Sequence, residues 1–181
     1  MKKALVLLAP GFEEIEAVTI IDILRRGQID VTISGLEKGL VTGSHNISIQ
    51  SDTHYKNVNE KEFDMLILPG GQPGSTHLKN DPLVLEWIRS RFSSGKKLAA
   101  ICAAPTVFQA AGITKNIRIT SYPGEAAVFT ESRYETGSVV KDGGVITSRG
   151  VGTAIEFALE LVSELASPEV AADIKEKILF E

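Results

Sequence analysis

Five short runs rich in Val, Ile, Leu and Ala, at residues 4–9, 30–35, 65–68, 98–101 and 144–148, alternate with stretches of helical periodicity at 13–26, 82–93, 105–111, 153–165 and 168–179. A strand that is apolar along its whole length is buried on both faces. Helices between such strands supply the crossovers that parallel pairing requires. Residues 47–50 and 134–141 read as short antiparallel excursions at the edges.

The expected fold class is α/β, a flavodoxin-like three-layer α/β/α sandwich with a mostly parallel central sheet, forming one domain over residues 1–181. The net charge of −4 gives no general attraction to nucleic acid or to an anionic membrane. One cysteine permits no intrachain disulfide. The first apolar run is broken at once by Pro10-Gly-Phe-Glu-Glu, so it reads as a strand and not as a signal peptide. No apolar stretch approaches the roughly 20 residues that span a bilayer. The expected location is the cytoplasm.

That single cysteine, Cys102, falls between the strand at 98–101 and the helix opened by Pro105. Proline suits a first helical turn, so the thiol is expected at a strand-to-helix elbow beside the positive end of a helix dipole. Such a position is expected to lower a thiol pKa. The alternative is a small buried hydrophobe. Two more loops leave carboxyl ends of strands, where ligands gather in such sheets: Pro10–Glu16 and Pro69-Gly-Gly-Gln-Pro-Gly-Ser75. The Gly70-Gly71 pair exposes backbone N–H groups of the kind an oxyanion hole uses. Glu16 shares a helical face with Ile20 and Ile23, which buries its carboxyl and raises its pKa. The alternative for Glu16 is a first-turn acid that complements the helix dipole, as Glu13 and Glu14 can. Ile15 and Val18 fall among Glu14, Asp22, Arg25 and Arg26 on the nominally polar face, which points to a covered second surface, such as a subunit contact.

Gly11-Phe-Glu-Glu-Ile-Glu16, Leu68-Pro-Gly-Gly71, Ala100-Ile-Cys102-Ala-Ala-Pro105 and Thr147-Ser-Arg-Gly-Val-Gly-Thr153, in this order, resemble the DJ-1/ThiJ/PfpI superfamily and its DJ-1 clade above all. The likeness runs from Lys3 to about Phe180 and includes the last helix, Glu169–Lys175. It implies a homodimer in which Cys102 is the nucleophile and Glu16 the protonated carboxyl that hydrogen-bonds its sulfur. Gly71 and Ala103 match the backbone donors around that cysteine, and Gly70 shapes the same turn. Arg149 is placed near the pocket, with a route to it from the partner subunit. Many members carry a histidine before the proline of the segment matching Thr120-Ser-Tyr-Pro123, where this chain has Tyr122. A tyrosine is a poor base at neutral pH. The Cys–His chemistry of a protease therefore needs His45, His54 or His77, each expected in a surface loop.

Two function classes follow from the resemblance. One is a cofactor-free enzyme acting on 2-oxoaldehydes: a glutathione-independent glyoxalase that makes lactate from methylglyoxal, or a deglycase of early glycation adducts. The other is a redox sensor or chaperone in which Cys102 is oxidised to a sulfinate. No cofactor or metal site is expected, since the histidines and the cysteine show no ligand spacing.

Overall fold

The computed structural model describes residues 1–181. Its elements run β1 (Lys3–Leu8), α1 (Glu14–Arg26), β2 (Asp30–Gly35), β3 (Leu40–Thr42), β4 (Ser48–Gln50), β5 (Thr53–His54), β6 (Met65–Leu68), α2 (Gly74–Asn80) and α3 (Pro82–Ser93). They continue with β7 (Lys97–Ile101), α4 (Pro105–Ala110), β8 (Arg118–Ile119), β9 (Arg133–Tyr134), β10 (Val139–Asp142), β11 (Val145–Ser148), α5 (Ala154–Leu165) and α6 (Pro168–Lys177).

Seven strands form one sheet in the order β10-β11-β7-β6-β1-β2-β5. All neighbours pair in parallel except β10 with β11. Strand alternation sends Ala4, Val6 and Leu8 of β1 into a core beneath α1 and α5, and Leu5 and Leu7 into a second core beneath α3 and α4. With helices on both faces, the expected sandwich is the observed one.

The edge at 134–141 needs one correction. Its later half is antiparallel β10, but Arg133–Tyr134 forms β9 and pairs in parallel with β8, outside the main sheet. The excursion at 47–50 is β4, paired antiparallel with β3 as a separate hairpin.

After β1 the chain runs outward to β2, and β6 is then laid on the other side of β1. The strand order therefore reverses between β1 and β6, the place where an α/β sheet opens a crevice at its carboxyl edge. The loops after β1, β6 and β7 meet there.

Candidate active site

Glu13 stands in extended conformation before α1, and its side chain accepts the Ile15 N–H, which starts the helix. One turn later Glu16 emerges with no exposed surface. Its Oε2 accepts the Gly70 N–H at 2.8 Å. Its Oε1 is buried with no hydrogen-bond partner, and the Cys102 thiol is close enough to the carboxyl to lower its pKa. Burial pushes the Glu16 carboxyl up to about 7. The Gly70 N–H and the thiol pull it down, and the charge of Glu13 adds to the rise.

Cys102 follows β7 directly and has φ +63, in the left-handed region that a side-chain-bearing residue rarely enters. The turn is braced from two sides. The Cys102 N–H donates to the Ser148 carbonyl at 3.0 Å, and the Cys102 carbonyl accepts the Tyr122 N–H at 2.7 Å. Gly70 makes the close approach possible, because a Cβ there would lie 2.5 Å from Cys102 Cβ and 2.8 Å from Glu16 Oε2. The backbone N–H groups of Gly71 and Ala103 favour the ionised sulfur and act to lower its pKa.

The elbow is as expected, but the lowered thiol is not. Burial, followed by the charge of Glu16, pushes Cys102 up to about 12, and the two backbone donors do not offset this. The helix beyond it, α4, spans only six residues, so it brings little macrodipole to bear. Burial raises both groups and the charge of Glu16 opposes ionisation of Cys102, so the two titrate as a coupled pair.

A cleft of about 520 Å³ opens over the pair, lined by Glu13, Glu16, Cys102, Tyr122, Arg149 and Thr153 among others. The Tyr122 side chain forms a half-exposed wall. Arg149 lines the cleft within the same chain as Cys102, and its Nη1 donates to the Thr136 carbonyl at 2.9 Å. Gly70, Gly71 and Ala103 are not among the residues that line the cleft.

Among the cleft residues that the sequence did not single out are Glu13 and Thr153. Glu13 lies one turn before Glu16, so the i, i+3 spacing was the available signal. Thr153 closes the fourth motif, and its hydroxyl accepts the N–H groups of Arg149 at 3.3 Å and Gly150 at 3.1 Å, which fixes the wall.

None of the three histidines lines the cleft. His77 Nδ1 meets the Pro10 carbonyl at 3.0 Å, and His54 Nδ1 accepts the Lys56 N–H. His45 does join Glu13 and Glu14 in a group whose potential ligand atoms lie within 4.8 Å of one another, which sequence spacing did not reveal. The closeness has a simpler cause. Glu14 Oε1 accepts the N–H of His45 at 2.6 Å and of Ile47 at 3.3 Å, and Glu14 Oε2 meets His45 Nδ1 at 3.0 Å.

Comparison with known proteins places this geometry. Residues 2–164 match the DJ-1/PfpI family. Protein dj-1beta of Drosophila melanogaster is 44% identical over 181 residues, covering 98% of this chain and 97% of that protein. The glutathione-independent glyoxalase DJR-1.2 of Caenorhabditis elegans is 40% identical over 171 residues, with 93% and 91% covered. The crystal structure of Drosophila melanogaster DJ-1beta superimposes with a TM-score of 0.96 at 42% identity, over 99% of this chain and 98% of that one. With the match spanning nearly the whole chain and relatives of equal length, this protein belongs to the DJ-1/PfpI family.

Proposed function

We propose that this protein is a glutathione-independent glyoxalase that converts 2-oxoaldehydes such as methylglyoxal to 2-hydroxy acids, with Cys102 as nucleophile and Glu16 as proton carrier. The observation that carries the reading is the buried, unpartnered Glu16 Oε1 beside a thiol held at a strained turn. A carboxyl near pH 7 is matched to proton transfer at neutral pH. The relative named a glutathione-independent glyoxalase, 40% identical, supports the same reaction class.

The steps balance without any cofactor. Ionised Glu16 takes the thiol proton as sulfur adds to the aldehyde carbon, and that proton passes to the new alkoxide to give a hemithioacetal. Glu16 then removes the proton from the same carbon, giving an enediolate, and returns it to the neighbouring carbon as the hydroxyl proton passes from the first oxygen to the second. The product is a thioester of the 2-hydroxy acid, which water hydrolyses to free acid and thiol. Once sulfur is bound to carbon, the Gly71 and Ala103 N–H groups are available to the adjacent oxyanion. Gly70 keeps Glu16 within reach of the sulfur. Arg149 and Tyr122 bound the substrate. Early glycation adducts on amines or thiols present the same masked aldehyde, and their reversal is the deglycase form of this chemistry.

The test is lactate formation from methylglyoxal without glutathione, comparing wild type with Cys102→Ser. Loss of product in the variant supports the reading. No lactate from wild type removes it and leaves the oxidisable-thiol role in its place. The proposal includes a homodimer formed through α1, whose Ile15 and Val18 are 56% and 51% exposed on the single chain. An interface of ordinary size buries about 1,600 Å². Sedimentation should show a dimer that Val18→Arg weakens, and a clean monomer at micromolar concentration contradicts it.

A further inference from the structure

The β3–β4 hairpin connects an exposed side chain to the Glu16–Cys102 pair. His45, at its tip, has a side chain 70% exposed to solvent. Its Nδ1 lies 3.0 Å from Glu14 Oε2 and 3.5 Å from Glu13 Oε2. Glu13 is 12% exposed, lines the cleft with Glu16 and Cys102, and stands one helical turn before Glu16. Glu16 in turn has one buried oxygen with no hydrogen-bond partner, and its carboxyl is coupled to the thiol. His45 thus pairs at the surface with Glu13, which shares one cleft with Glu16 and Cys102 and acts on the Glu16 carboxyl through its charge. The neighbouring charged and titratable groups are Glu13 and Glu14 of α1 around His45, with Tyr122 and Arg149 lining the same cleft as Glu13.

We propose that His45 acts through Glu13 on the proton held between Glu16 and Cys102, so that thiol reactivity follows the charge of an exposed residue on the β3–β4 hairpin. His45 touches no substrate in this account and is a positioning residue for a charge. The sign follows from the neighbours. Negative Glu13 repels negative Glu16 and so helps to keep the proton on Glu16. A protonated His45 pairs with Glu13 and Glu14 and weakens that repulsion. A neutral His45 leaves it at full strength. Retaining the proton on Glu16 favours the state in which the sulfur has given its proton away, because the charge of Glu16 is one of the causes that hold the thiol protonated. Loss of the His45 charge as pH rises therefore makes Cys102 more nucleophilic than the ordinary increase with pH alone. The Glu14 contact biases His45 toward its charged form, which moves the response toward neutral pH.

The inference concerns the thiol itself and not the oxoaldehyde reaction, so its test uses neither substrate nor product. Iodoacetamide alkylation of Cys102 is followed from about pH 5.5 to 9, and the Glu16 carboxyl midpoint is read by isotope-edited infrared spectroscopy. His45→Gln is expected to raise the Glu16 midpoint by about half a pH unit and to speed alkylation about threefold near neutrality. Glu13→Gln, which keeps an oxygen to cap α1, should shift both in the opposite sense by a similar factor. His45→Lys, with a fixed charge, should retain the slow wild-type rate at low pH and lack the added rise near neutrality. A purely structural role for His45 would not give opposite signs in the first two variants. Unchanged alkylation in both, or shifts of the same sign, overturns the proposal. If His45→Gln lowers the melting temperature enough to blur its reading, Glu13→Gln alone decides, and an unchanged or raised midpoint there overturns it.

Discussion

Glu14 and Glu16 lie two residues apart in the first turn of α1, and both are buried. Their environments drive them in opposite directions. Burial raises both carboxyls. Around Glu14 this is outweighed by donors, namely its own backbone N–H, the His45 N–H and side chain, and the Ile47 N–H, so it ends below the ordinary carboxylate value. Glu16 has one backbone donor, the Gly70 N–H, and ends near 7. Deeper burial and fewer donors together separate the acid able to move a proton, Glu16, from the one that pins a hairpin, Glu14.

The largest effects that test this contrast concern turnover. Cys102→Ser and Glu16→Gln should each lower lactate formation by about 10²–10⁴-fold, whereas Glu14→Gln should leave it within a few fold. The double variant of Cys102 and Glu16 should be little worse than either single one, since they act as a unit. If Glu14→Gln is as damaging as Glu16→Gln, the division of roles is wrong.

Gly70→Ala should come close behind, because its Cβ would occupy space 2.5 Å from Cys102 Cβ and 2.8 Å from Glu16 Oε2. A loss of about 10²-fold with far-UV circular dichroism preserved is the expected result. Near-normal turnover would show that the pair tolerates displacement.

Stability against pH divides the two acids next. The folded value of Glu16 is raised from 4.5 to about 7, so its stability contribution is fully present below 4.5 and declines as pH rises toward 7. The difference between wild type and Glu16→Gln in denaturant unfolding should therefore change by up to about 3 kcal/mol across that window. Glu14 has the opposite sign. Its lowered value gives stability that is present above the unfolded 4.5 and is lost as pH falls through the folded value. Glu14→Gln should cost about 1–3 kcal/mol at neutral pH, and less in acid. Parallel pH profiles for the two variants would contradict the comparison.

The smallest effect is expected from Tyr122→Phe. The ring is half exposed in the wall of the cleft and its hydroxyl forms no hydrogen bond, so turnover should fall only a few fold. Abolition of lactate by this change, with Glu16→Gln silent, would transfer the proton role to Tyr122.

The sequence revealed these two glutamates unequally. The place of Glu16 was legible because Ile20 and Ile23 mark its helical face locally. Glu14 reads as polar surface on the same wheel, and only the β3–β4 hairpin, three residues to a strand, folds over to bury it. That contact spans about thirty positions and leaves no periodic trace. The central strands were legible for the opposite reason, since β1, β6 and β7 are apolar on both faces. Helix α2, Gly74-Ser-Thr-His-Leu-Lys-Asn80, was not, because it combines weak helix formers with one large buried apolar residue, Leu78. The Cys102 elbow was likewise visible in Pro105 and the flanking alanines. Its raised thiol was not, because the main cause is burial in the assembled fold, and the second is a carboxyl 86 positions away brought near the sulfur by the sheet order.

The central claim is that Glu16 titrates near neutrality beside Cys102. Isotope-edited infrared spectroscopy of the Glu16 carboxyl, recorded through a pH series, reads it directly. A protonated carboxyl band that persists at pH 6 and converts to carboxylate near 7 is the predicted result. A Glu16 already fully ionised at pH 5 would contradict the account, because it would then hold no proton to exchange with the thiol.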